Sequence, residues 1–282
     1  MKRVIIIPNR KKDADFGVTR ALVKKLISLG MTPFADEKYC FSEEGVTLYK
    51  EAPAADLIIV VGGDGSVIDA SELAVSRNIP ILGVNLGKVG YLSEIEPDNL
   101  AVLDRITTGE YEICEKMLLC AEIVSETGRT FSPHLAVNDI VISHDDYLGI
   151  ADFVVENSSK DSAKYRADSV IVSTPAGSTA YSLSAGGPIV AHDVDAIIVT
   201  PVCPHSFFNR SMVFSAGEVL TVRNICAQTL KVSVDGRIFA AVKNGESCII
   251  SASDKRIKVL TFTKNSTFST LFRKMRILED IK

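Results

Sequence analysis

The sequence has no apolar run of membrane-spanning length, no excess of basic charge, no low-complexity tract and no two cysteines at metal-ligand spacing. Each absence removes a class of function. Without about 20 consecutive apolar residues no transmembrane helix is predicted. The run Val4–Ile7 behind Met-Lys-Arg is too short for the core of a signal peptide. Lys and Arg number 31 against 35 Asp and Glu, a formal net charge of −4, so no basic field draws a nucleic acid or an anionic membrane. Neither is expected as a partner, whereas a small anionic ligand needs only local positive groups or backbone amides. Cys40, Cys114, Cys120, Cys203, Cys226 and Cys248 are scattered. A cysteine metal site is therefore not expected, and reduced thiols in a cytoplasmic protein are the default. What is left is a globular chain of 282 residues, long enough for one large domain or two ordinary ones.

Two rhythms divide it. Through the first hundred residues, strand-like runs (Val4–Ile7, Leu57–Val61, Ile81–Val84) alternate with helical stretches. Leu22, Val23, Leu26 and Ile27 recur at helical spacing before a stop at Gly30, and Val67, Ala70, Ala74 and Val75 do so within Ser66–Ser76. From about Leu103 the runs are of β type: "HLAVNDIVIS", "IADFVVEN", "SVIVSTP", "AIIVTP", "VLTVR", "LKVSVDG" and "CIISASDKRIKVLTF". A last helix is expected from Ser266, with Phe268, Leu271, Phe272 and Met275 on one face. The reading is an α/β N-terminal nucleotide-binding domain over 1–102, a mainly β substrate-binding domain over 103–265, and a helix over 266–282 that packs back on the first.

The segment "LIIVVGGDGSVIDA" puts three glycines and one acid at a strand-to-helix junction. Gly62, Gly63 and Gly65 let backbone amides approach phosphate oxygens, and the helix N-terminus favours an anion. Asp64 opposes that anion, so it needs a task of its own. It can accept the proton of a hydroxyl attacking a phosphoryl group, help hold the Mg²⁺ that accompanies a nucleotide, or simply cap the helix. A second stretch, "STPAGSTAYSLSAGGPIV" at 173–190, is dense in hydroxyls and glycines directly after an apolar strand. It suits either a polar ligand or a plain surface turn. Lys12 and Lys88 could reach phosphates, but nothing in the sequence singles them out.

"GGDGS" at 62–66, "LGKVGYLSE" at 86–94, "VND" at 137–139, "TPAGSTAYSLSAGGPIV" at 174–190, "VTPVCPHSFFNR" at 199–210 and "VDG" at 234–236 together resemble, in order and spacing, the NAD kinase family. Diacylglycerol and sphingosine kinases and phosphofructokinases share such a glycine-acid turn. The Thr-Pro-x-Gly-Ser-Thr-Ala-Tyr stretch is the specific part. The resemblance spans nearly the whole chain and implies transfer of the γ-phosphate of ATP, with Mg²⁺, to the 2′-hydroxyl of the adenosine ribose of NAD. It implies Asp64 as the base, and Gly62, Gly63 and Ser66 near phosphates. Gly65, Tyr91, Asn138, Asp139, Asp168, Thr179, Ala180, Tyr181 and Ser184 are implied around NAD.

Asp139 stands where the family has a glutamate, and Tyr91 where it usually has Phe. Asp168 corresponds to an aspartate that reaches the substrate of a neighbouring subunit, so a homodimer or homotetramer is implied. No resident metal site is expected. For Asp168 a solvated acid beside Arg166, for Tyr181 a core aromatic, and for Asp235-Gly236 a hairpin turn are the bland alternatives. A lipid kinase of the same superfamily and a non-catalytic dinucleotide sensor are the competing functions.

Overall fold

A computed structural model describes residues 1–87, 90–125, 128, 133–144, 149–205 and 209–262. Lys88 and the helix expected over 266–282 lie outside them. The chain divides into two units, one of Met1–Glu115 together with the chain from Ile257, the other of Lys116–Arg256.

The first unit is built on parallel strands β1 (Arg3–Pro8), β2 (Thr32–Asp36), β3 (Thr47–Tyr49), β4 (Leu57–Gly62) and β5 (Ile81–Asn85), in the spatial order β5-β4-β1-β2-β3. All six residues of β4 are buried. A parallel strand covered on both faces reads as an unbroken apolar run, which is why no alternation marks it. Helix α1 (Gly17–Ser28) buries Leu22, Val23 and Leu26, and ends where the amides of Gly30 and Met31 bond the carbonyls of Ile27 and Leu26. Ile27, expected on the same face, is exposed. Helix α2 (Asp64–Arg77) buries Val67, Ala70 and Ala74. It starts two residues before the expected Ser66, because Gly63 in extended conformation acts as its cap and Asp64 already has helical geometry. A short helix, α3 (Asp104–Thr108), follows later in this unit. The strand order reverses between β4 and β1, and a sheet of this kind binds ligands at such a reversal.

The second unit has two antiparallel layers. In one, β9 (Ala151–Glu156) lies between β10 (Ser162–Ala167) and β14 (Val219–Asn224), and β14 pairs with the first residues of β17 (Ser247–Thr261). The same layer includes β6 (Glu112–Val124) and β7 (His134–Ala136). The other has the order β13 (Met212–Ser215), β12 (Ala196–Val202), β11 (Ser169–Ser173), β8 (Asp139–His144), β15 (Leu230–Val234), β16 (Arg237–Val242). Alternate residues Ile140, Ile142, Val170, Val172 and Val232 of this sheet pack with Phe153, Tyr165, Leu220 and Ile250 of the first layer. By the two-residue period, Asp139, Val141, Ser143, Ser169, Ser173 and Ser233 fall on its other face. A short helix, α4 (Tyr181–Ser184), follows β11 after a tight turn over Gly177–Thr179.

Candidate active site

In the first unit, Gly62, Gly63, Asp64, Gly65 and Ser66 form the end of β4 and the first turn of α2. The Asp64 carboxylate does not cap its own helix. It accepts the backbone N–H of Tyr91 at 2.7 Å and of Leu92 at 3.0 Å, with the Ser93 hydroxyl at 3.5 Å. The acid is thus held from outside, by a loop 27 residues further on, and its charge is met by two peptide dipoles. The loop is itself fixed by Asn85 at the end of β5. Its Oδ1 accepts the Gly87 N–H at 2.9 Å, and its Nδ2 donates to Glu96 at 3.2 Å. Tyr91 is half-buried beside this carboxylate, and burial together with the Asp64 charge raises its phenol.

Across the strand reversal, Asn9 follows β1 and donates from Nδ2 to the Ser66 hydroxyl at 2.7 Å, while its carbonyl accepts the N–H of Lys12 and Asp13. This tie brings Lys12 over the glycines. A Cβ built on Gly63 lies 2.5 Å from Lys12 Nζ, and one on Gly87 3.5 Å from it. A side chain at Gly63 would displace the ammonium from this position, which the flexible lysine stem allows. The N-terminal end of α2 and the Lys12 ammonium converge here, an arrangement that receives phosphate oxygens beside a carboxylate able to take a proton. Lys12 is the residue that sequence reading left aside, because an exposed lysine in a lysine-rich run carries no signal of where its amine ends.

In the second unit a cavity of about 450 Å³ opens on the polar face of the six-stranded sheet. Asn138, Asp139, Ala180 and Tyr181 line it, together with Ser143, Ser169 and Asp235. Tyr181 is 46% exposed, so it forms part of the rim and is not a core aromatic. The segment 174–190 covers this face and is fixed from below. The Thr174 hydroxyl donates to the Val137 carbonyl at 2.7 Å and accepts the Gly177 N–H at 2.9 Å. The Ser182 and Thr200 hydroxyls meet at 3.0 Å. Much of the hydroxyl density in this stretch is thus structural, holding the turn against the sheet.

Asp235 does more than turn a hairpin. It and Gly236 have the positive φ values of a tight turn, 48° and 79°. Its carboxylate also accepts three consecutive backbone amides, Val137 at 2.8 Å, Asn138 at 2.8 Å and Asp139 at 3.1 Å. Asp139 is 5% exposed, and burial, with the Asp235 charge behind it, pushes its carboxyl up to about 7. Burial raises Asp235 too, against the pull of its three amides.

Not every implied residue reaches the cavity. Thr179 lies buried behind it, its hydroxyl on the Ala176 carbonyl at 3.0 Å. Ser184 is exposed at the end of α4, and Asp168 sits between β10 and β11 with its N–H on the Val202 carbonyl. Neither is among the residues lining the cavity. Among the described residues no group of three or more His, Cys, Asp or Glu is arranged to hold a metal ion, and no helix is long and apolar enough to cross a membrane.

Residues 10–111 match the family model described as the ATP-NAD kinase N-terminal domain, and residues 137–262 match the ATP-NAD kinase C-terminal domain. The curated NAD kinase of Caldanaerobacter subterraneus subsp. tengcongensis is 36% identical over 279 residues, spanning 97% of this chain and 98% of that protein. The NAD kinase of Geobacter sulfurreducens is 33% identical over 281 residues, 98% of this chain and 99% of that one. Two solved structures share the fold. Yeast NADH kinase complexed with NADH has a TM-score of 0.81 at 21% identity, covering 98% of this chain and 86% of that one. An NAD kinase from Archaeoglobus fulgidus in complex with ATP has a TM-score of 0.74 at 24% identity, covering 98% and 99%.

Proposed function

Because the chain belongs to the ATP-NAD kinase family and catalyses that family's transfer of the ATP γ-phosphate to the adenosine-ribose 2′-hydroxyl of NAD, we propose that Asp64 is its catalytic base. The observation that carries this is the pair of amide bonds from Tyr91 and Leu92, which fixes a carboxylate at the N-terminus of α2. A secondary hydroxyl is a poor nucleophile, and phosphoryl transfer gains most from alignment and charge neutralisation. Asp64 accordingly orients the attacking hydroxyl through a hydrogen bond and takes its proton as the P–O bond forms.

The α/β unit serves as the nucleotide-binding part, and the β-rich unit as the substrate-binding part. At Gly62, Gly63 and Ser66, the first turn of α2 and the Lys12 ammonium bind the phosphates of ATP. Magnesium arrives as part of the Mg²⁺·ATP substrate, with the phosphates and water supplying most ligands to a hard cation. Gly65 and Tyr91 border the acceptor ribose. In the second unit the cavity takes the adenosine half of NAD, with Tyr181 offering a flat ring and Ala180 room beside it. Asn138 and Asp139 bond the base and ribose, while Thr179 and Ser184 shape the turn that presents Ala180 and Tyr181. The reading extends to a cytoplasmic homodimer or homotetramer in which Asp168 reaches a neighbour's substrate. The test is NADP formation from NAD and Mg²⁺·ATP by wild type and Asp64→Asn. The base assignment requires the variant to bind NAD while losing most turnover; full turnover by a folded variant refutes it.

A further inference from the structure

Asp139 and Asp235 place two carboxyl groups at one end of the cavity in the second unit. Their backbones are tied to each other: Asp235 N–H donates to the Asp139 carbonyl at 2.9 Å, and Asp139 N–H to the Asp235 carboxylate at 3.1 Å. What solvates the two acids differs. Asp235 receives three amides, so its negative charge is met by three dipoles. Asp139 is buried, and what acts on its carboxyl group is burial and the Asp235 charge, with no amide to offset them.

Of the groups around the pair, one brings an opposite charge, and it acts on Asp235 and not on Asp139. Across the strand pair from Asp139 stands Ser173, uncharged, whose buried hydroxyl has no partner among the described residues. From α4 comes Tyr181, a phenol on the cavity rim. On β15, Lys231 is in register with Ser143, further along the sheet, and already has interactions of its own. On β16, Arg237 acts on Asp235. Burial disfavours charge on both acids, and the Asp235 charge disfavours it further on Asp139, which has no amides of its own to offset the cost. Burial raises Asp139 further, and the amides hold Asp235 down, so the proton rests on Asp139.

We propose that this pair takes up substrate in its singly protonated form, with Asp139 meeting the adenosine of NAD as a hydrogen-bond donor and Asp235 acting as the charged positioning residue behind it. This rests on the assignment of the cavity to NAD. Substrate entry displaces water and brings the negative charge of a dinucleotide, and both disfavour a second carboxylate. Binding is therefore linked to a proton. Above neutral pH, NAD binding consumes one proton per site and KM for NAD rises about tenfold per pH unit, while kcat for saturated enzyme changes far less.

The experiment is calorimetric titration of the full-length protein with NAD from pH 6 to pH 8.5, in buffers of different ionisation heat. Proton uptake rising from near none to near one is expected for wild type. Asp139→Asn, which keeps the shape and fixes the neutral state, abolishes the uptake and leaves NAD affinity flat with pH. Wild type that binds NAD without proton uptake overturns the proposal, as does an Asp139→Asn protein that keeps it. Tyr181→Ala and Asn138→Ala, measured alongside, separate the two ways to fail. If both bind NAD as wild type does, the cavity is not the NAD site and the proposal falls with that assignment. If both weaken binding while uptake survives in Asp139→Asn, the proton alone was misplaced.

Discussion

Gly177 stands so close to the backbone carbonyl of Asn138 that a single added methyl overlaps it. The contact joins the tight turn after β11 to the residue that begins the cavity wall. Gly177→Ala is expected to cost about 1–3 kcal/mol, the usual penalty for forcing a methyl into packed backbone. Because Asn138 must yield, KM for NAD should rise as well. Thermal melting and steady-state kinetics on the same preparation check both, and an alanine variant that melts like wild type shows that the contact relaxes at little cost.

Asp64→Asn keeps the size of the side chain and one acceptor oxygen, but turns its other end into a donor facing an amide. Loss of a general base commonly costs about 10²–10⁴ in rate. The fall is expected in kcat, with KM for NAD little changed. Product formation under saturating NAD and Mg²⁺·ATP gives the number.

Lys12→Met removes the ammonium while keeping the aliphatic stem over Gly63. Charge-assisted contacts to phosphate contribute about 1.5–3 kcal/mol, so KM for ATP should rise by roughly tenfold to a hundredfold. KM for NAD is the internal control and should move little. An unchanged KM for ATP means that the amine points at the glycines without touching nucleotide.

The acid at position 139 also shapes stability. Its carboxyl rises from 3.8 to about 7 on folding, so the folded chain holds this proton more tightly than the unfolded one. The resulting stabilisation is complete below 3.8 and is lost as pH climbs to about 7. Asparagine at 139 does not titrate. Relative to wild type, Asp139→Asn should therefore gain stability through that window, reaching on the order of 2–4 kcal/mol above it. Denaturant titrations at pH 5 and pH 8 measure the difference, and equal gains at both pH values count against a buried, protonated Asp139.

His192 works in the opposite direction. Burial, with the nearby Lys116 charge adding, lowers its imidazole from 6.5 to about 4. The unfolded chain thus takes the proton first, and stability is lost as pH falls from 6.5 towards 4. His192→Gln should flatten that acid limb, which melting curves at pH 4.5 and pH 7 resolve. In wild type the two groups oppose each other over most of this interval, so each variant reveals a slope that the parent conceals.

Parts of this were readable beforehand, for local reasons. The β4 strand, the glycine turn and α2 follow one another within about twenty residues, and each is set by its own apolar spacing. Asn138, Asp139, Ala180 and Tyr181, which come from two separate motifs, line one cavity. What escaped are contacts between distant segments. The clamp of Asp235 on Val137 spans 98 positions, and the seat of Lys12 depends on a bond from Asn9 to Ser66 across 57. Neither leaves a trace in periodicity or composition. The early start of α2 escaped for the opposite reason: glycine disfavours helix intrinsically, and tertiary bonds to Asp64 outweigh it there.

Asp64 is gripped through the peptide groups of Tyr91 and Leu92 and not through their side chains. The grip is therefore blind to which amino acids occupy 91 and 92, so long as each brings an N–H. Drift at codon 91 can exchange one aromatic for another, or reshape the rim for a different ligand, without disturbing the acid's anchorage, whereas Leu92 is also held by its burial. Proline is the one coded residue without that hydrogen, so at either position it breaks the grip.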